Sequence, residues 1–183
     1  MNNFINSLMH SLATENWYAA ITLALTLPDI CGAINVPGKN NSQARYSAWF
    51  NKYVGDKYSM IGHDGNVFIF MNGDDAYALR CALLHEGTSN VSGQRARSEV
   101  QEKFIFHHSK VICMHKVRDK GKLLVDIKTY CNDIISGVSE WVNEVKNDID
   151  DRRRNSIREL LTLHLPDVHH GFIVHATINN PLR

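Results

Sequence analysis

Two residue types suited to phosphate chemistry stand at Arg80 and His85, inside the stretch Tyr77-Ala78-Leu79-Arg80-Cys81-Ala82-Leu83-Leu84-His85-Glu86-Gly87. A guanidinium grips a phosphate through parallel N–H donors, and an imidazole exchanges a proton near neutral pH. Cleaving an RNA phosphodiester without a metal asks for both. The 2′-hydroxyl must be activated, the departing 5′-oxygen protonated, and the charge gathering on phosphorus offset. Arg80 is the expected clamp and His85 the expected acid or base. An α-helix turns about 100° per residue, so the two lie about 140° apart around its axis, which predicts that they do not share a face. A frayed helix end or a two-fold partner could still bring such groups together, and two copies would supply the two proton-transfer roles that one histidine cannot fill at once.

The spacing alone selects weakly. With ten Arg and ten His in 183 residues, such pairs arise from composition, and a second one runs from Arg158 to His164 in a Leu-rich amphipathic stretch. Context separates the two. Asn72 offers a cap, Asp74 and Asp75 stand in the first turn and Gly87 closes the segment, so 74–86 is bracketed as a helix. Next to the pair, Glu86 is a candidate to orient an imidazole, against the plainer role of a solvated acid at a helix end. Cys81 lies four residues before His85 and on its face, which allows a thiol–imidazole pair or simply a small buried residue. A purely structural alternative has Arg80 paired with a nearby carboxylate and His85 donating to a neighbouring carbonyl.

Charge is unevenly spread. The net charge is +1 with His neutral, yet residues 80–128 carry ten basic and five acidic side chains, against four and six before them and six and eight after. A polyanion would meet this middle third, where Arg95, Arg97 and Lys110 are the expected substrate contacts. A metal reading uses Cys113 and His115, which share one side if 111–117 is a strand, with His107 joining them; a half-buried strand explains the same alternation without metal. No metal or other cofactor is expected. His169, His170 and His175 belong to a polar tail, and Arg152-Arg153-Arg154 after Asp148, Asp150 and Asp151 read as an exposed helix start.

These residues need elements to position them. Phe4, Ile5, Leu8, Met9 and Leu12 recur at helical spacing, Thr14 is the expected cap of a second segment beginning Glu15-Asn16-Trp17, and in the run from Trp17 to Ile34 Pro28 predicts a kink or short break at Leu27. Tyr46, Trp49, Phe50 and Tyr53 give 44–54 an aromatic inner face. The apolar run Val67 to Met71 suits a strand or a buried loop. Residues 88–100 read as an exposed loop. Residues 103–108 and 111–117 are rich in β-formers, followed by a turn at Arg118-Asp119-Lys120-Gly121. A long helix carries Ile127, Tyr130, Ile134, Val138, Trp141, Val142 and Val145, a last helix spans 151–163, and 171–178 suits a terminal strand. The expected class is mainly α, one domain over 1–183, with a small β-element in the 100–125 region.

With its helical setting, the Arg-x4-His segment resembles the HEPN superfamily, best over residues 5–87 and the helix at 126–146. The resemblance implies an all-α bundle and a metal-independent endoribonuclease of a defence or toxin–antitoxin type, its site built from Arg80 and His85 at a homodimer interface. It equally implies, as the alternative, a non-catalytic HEPN-like module that binds RNA or a protein partner such as an antitoxin. The family commonly places a polar residue directly after the Arg, where this chain has Cys81.

Other classes lose their support. There is no Walker-type loop, G-x-G-x-x-G, G-x-S-x-G or H-E-x-x-H. The cysteines at 31, 81, 113 and 131 form no C-x-x-C pair and read as reduced intracellular thiols. The start Met1-Asn2-Asn3-Phe4 lacks the positive charge of a signal peptide, and the apolar run Trp17 to Pro28 is shorter than a bilayer span, so a cytoplasmic protein without membrane attachment is expected.

Overall fold

Six α-helices and five short strands are formed by the residues that the computed structural model describes, which are 1–38, 41–111, 114–149 and 151–161. Helix α1 covers Asn2–Ala13, α2 Trp17–Asn35, α3 Ser42–Tyr53, α4 Gly73–Glu86, α5 Ile127–Lys146 and α6 Asp151–Arg158. Side-chain caps start α2, α3 and α5, and α2 is capped by Asn16 rather than by Thr14, which instead closes α1. The side chains of Asn16 and Asn41 accept the backbone N–H of Ala19 and Ala44, and Asp126 accepts that of Thr129.

Helix α2 runs at the centre, packed against α1, α3, α4 and α5. The break expected at Pro28 does not occur; the helix continues through it to Asn35. A proline inside a helix costs about 3 kcal/mol. Leu25, Leu27, Pro28 and Cys31 are all buried here, so tertiary packing outweighs that cost. This uninterrupted helix is long and apolar enough to cross a membrane by length and composition, yet half of its most apolar window is packed inside the molecule. The core it helps to fill includes Trp49, Trp141, Tyr46, Tyr58, Tyr130, Phe50 and Phe104.

The β-structure falls into two sheets. Strands β1 (Ser59–Ile61) and β2 (Val67–Ile69) form an antiparallel hairpin. The segment of open type, Val67 to Met71, is therefore a strand over its first three residues, whose side chains are exposed, and it ends on a buried Met71. Strands β3 (Lys103–His107), β4 (Val117–Asp119) and β5 (Lys122–Asp126) make a sheet of order β3-β5-β4, with β3 parallel and β4 antiparallel to β5. This is the small β-element expected near 100–125, and Lys120 and Gly121, both at positive φ, make the expected turn.

Two expectations change. Of the described residues in 111–117 only Val117 belongs to a strand; Lys116 adopts a φ of 62°, which ends extended backbone, and pairing begins at Val117. Residues 88–100 are only partly exposed, because Val91 and Val100 are buried. The last helix is observed from Asp151 to Arg158. His164, the strand expected at 171–178, and His169, His170 and His175 lie outside the described residues, as does Cys113.

Candidate active site at the end of helix α4

Helix α4 is fixed at both ends before it presents any functional group. The Asn72 side chain accepts the N–H groups of Asp74 and Asp75 at 3.0 and 3.1 Å, while Asp75 accepts that of Asn72 at 3.1 Å, a reciprocal cap. Gly87 adopts a φ of 67° and, with Thr88, donates to the carbonyls of Leu83 and Ala82. The helix lies hard against α3: a Cβ on Gly73 would stand 2.4 Å from the Ser47 carbonyl oxygen. Ala76, Ala78, Leu79 and Ala82 are buried on its inner face.

Arg80 and His85 meet. An Nη atom of Arg80 lies 3.1 Å from Nε2 of His85. This corrects the expectation from helical rotation. The backbone directions diverge, but the arginine side chain is long enough to reach along the last turn and close the gap. Guanidinium groups only donate, so in this contact Nε2 is the acceptor. The other Nη of Arg80 donates to Asp29 of α2 at 2.8 Å, with both side chains about one-fifth exposed. Burial works against the charge on Arg80, but Asp29, joined by Cys81 and Tyr77, holds its pKa above the ordinary value. Half of the structural alternative is thus present, the arginine paired with a carboxylate, while the histidine contacts the arginine.

The other candidates are distributed around this centre. Glu86 accepts from the Gln94 amide at 2.7 Å, which ties the following segment to the end of α4. Arg95 is exposed on that segment, and Arg97, half-buried, donates to the Gln94 carbonyl at 2.8 Å. Lys110 is exposed and ion-paired with Glu15 at 3.1 Å, at the junction of α1 and α2. Cys81 is half-buried and outside any disulfide. Of the metal candidates, His107 contacts the Met114 carbonyl through Nε2, and Nδ1 of His115 accepts the Asp126 N–H at 3.3 Å. Among the described residues no group of three His, Cys, Asp or Glu side chains converges as a metal site would require.

Sequence reasoning missed two partners. Asp29 left a signal, since it is the only carboxylate in an otherwise apolar helix. The second is Asp126, which caps α5 and also contacts Nδ1 of His108 at 3.2 Å, the His108 ring lying 4.7 Å from that of Trp17. Burial alone would raise the Asp126 pKa; donors from Thr129 and His108 hold it below the ordinary carboxylate range. Nothing in the spacing of His108 and Asp126 along the chain foretold that contact. No family model matches the chain, and neither a curated protein nor a solved structure matches it.

Proposed function

We propose that this protein is a HEPN-like, metal-independent endoribonuclease, active as a homodimer in a cytoplasmic defence or toxin–antitoxin setting. The observation that carries the reading is the 3.1 Å contact between Arg80 and His85 at the end of α4, with His85 exposed. An incoming phosphodiester takes the place of the imidazole on that arm of the guanidinium. A non-bridging oxygen then accepts from Arg80, and the lone pair of His85 Nε2 is freed beside the scissile group.

His85 takes the proton of the 2′-hydroxyl, the 2′-oxygen bonds to phosphorus, and the P–O5′ bond breaks as the 5′-oxygen gains a proton. The products are a 2′,3′-cyclic phosphate and a 5′-hydroxyl. One imidazole cannot give and take at the same moment, so a second copy of the chain supplies the acid. Asp29 keeps the guanidinium at the site, and Arg95, Arg97 and Lys110 extend the basic surface along which the strand lies. The thiols of Cys31, Cys81 and Cys131 are free, in keeping with the cytoplasm.

A second reading has its own observation. Asp29 already occupies one arm of the guanidinium, as in a bundle that binds RNA or a protein partner, an antitoxin included, and cuts nothing. Purified wild type and His85→Ala, incubated with unstructured RNA in EDTA, separate the two. The expected outcome is cleavage by a dimeric wild type that leaves cyclic phosphate ends, with the variant slower by about 10²- to 10⁴-fold. Equal cleavage by the variant sinks the assignment, and a wild type that retards RNA without cutting it selects the binding module.

A further inference from the structure

We propose that the open edge of β3 docks an extended acidic peptide segment of a partner protein, which adds as a further strand and places one large apolar side chain in the cavity beside it. Strand β3 is an outer strand of its sheet, paired with β5 on one side only. On the other side the segment after α4 covers just its start. Val91 N–H donates to the Glu102 carbonyl at 2.8 Å and Phe104 N–H to the Ser89 carbonyl at 2.9 Å, with Asn90 opposite Lys103. The Glu102 N–H turns the other way, to the Gly121 carbonyl before β5 at 2.9 Å, and backbone groups alternate in direction along a strand, so Phe104 and Phe106 are the residues of β3 whose N–H and C=O face this edge. Among the described residues no backbone group beyond the sheet meets the outward C=O of Phe104 or the N–H and C=O of Phe106. An unpaired row of this kind is a template for another strand.

The side chains say what that strand contains. Lys103, Ile105 and His107 share one face of β3, Lys103 exposed and Ile105 40% exposed, while Phe104 is buried on the other. A cavity of about 670 Å³ runs along the same strand, walled by Trp17, Tyr18, Ile21 and Leu83, with the Tyr18 ring 85% exposed. That volume suits an inserted aromatic or branched side chain with its flanking backbone. Lys103, His107 and His108 line it, His108 already paired with Asp126, and among the described residues no carboxylate lines it. Asn90 holds the place opposite Lys103, so an added strand faces β3 from Ile105 to His107; the complementary segment reads acidic, any, apolar, any, acidic, with the apolar residue over Ile105, one acid across from His107 and the other at the strand's end within reach of the exposed Lys103 ammonium. This inference does not rest on catalysis at Arg80 and His85.

Selecting short random peptides displayed against the full-length chain tests it, followed by calorimetric titration of the enriched peptide. The expected sequences carry the acidic–apolar–acidic alternation. Lys103→Glu and Tyr18→Ala, both at exposed positions, are each expected to weaken binding roughly tenfold. N-methylation of the peptide amides that face β3 is expected to weaken it by a similar factor, and N-methylation of the alternate amides to leave it nearly unchanged. Failure to enrich any peptide overturns the proposal, as do enriched sequences without acids or equal effects at both sets of amides. A Phe106 amide strongly protected from hydrogen exchange in the free chain overturns it too, because a second copy or another part of this chain would then already hold the edge.

Discussion

At the scale of single residues, Asp29 decides how Arg80 is presented. Exposed ion pairs contribute about 0–1 kcal/mol and removal of one partner from a fully buried pair costs about 3–5 kcal/mol. With both side chains about one-fifth exposed, Asp29→Asn belongs between those limits, at about 1–3 kcal/mol of stability. The guanidinium, no longer tethered, leaves His85, so on the proposed nuclease reading single-turnover RNA cleavage is expected to fall further than RNA affinity. Urea unfolding and single-turnover rates check the two halves; a destabilised variant with an unchanged rate would make Asp29 a structural partner alone. The residue types at Arg80 and His85 were legible in the sequence, but their contact was not. A helical wheel treats side chains as radial spokes, whereas an arginine lies along the surface and spans more than a turn. Asp29 comes from a different helix, and no spacing along the chain encodes which carboxylate a fold brings to a given cation.

Elements were easier to foresee where backbone chemistry is local. Asn72, Asp75 and Gly87 mark both ends of α4 because caps are made by residues within a few positions of one another. The break expected at Pro28 and a strand running through Lys116 misled for one reason: burial of apolar side chains in α2, and a left-handed Lys116, are consequences of tertiary structure that propensity does not carry. The partial burial of 88–100 has a similar origin. Asp75, fully buried, accepts the N–H groups of Ser98 and Val100 at 2.8 and 2.9 Å in addition to that of Asn72, so one carboxylate joins the start of α4 to the end of the segment that bears Arg95 and Arg97. Asp75→Asn turns one of these acceptors into a donor facing a donor, at a cost of about 1–3 kcal/mol. Amide exchange at Ser98 and Val100 is expected to quicken, and RNA affinity to drop while the cleavage rate of bound RNA holds. Unchanged exchange at both amides would show that the segment is held by Val91 and Val100 alone.

Across the whole molecule, the helices and the larger sheet share one cluster of buried side chains among the described residues, and His115 sits where they meet. Its Nδ1 accepts the Asp126 N–H at the end of β5, its ring packs edge-on to Tyr58 at 5.5 Å, and Nε2 lies 4.0 Å from Asp133 of α5. Burial pushes its pKa down; Asp133 and Asp126 pull it up and Lys116 and His107 push it further down, leaving it below the ordinary value. The unfolded chain therefore binds a proton at His115 below pH of about 6.5 while the folded chain does not until lower pH. Where the unfolded state holds more protons, stability rises with pH, so acidification through that window destabilises the fold. The lowered carboxylates Asp126 and Glu144 act in the same direction but only near and below pH of about 4, so the two contributions separate. His115→Asn keeps an acceptor near Nδ1 and removes the titration. Urea unfolding free energies measured from pH 7.5 to 5 are expected to slope downward with acid in the wild type and to flatten in the variant, even if the variant starts lower. If the slope is the same in both, the acid sensitivity of this fold lies with another histidine, and the neutral His115 joins sheet to helix through packing alone.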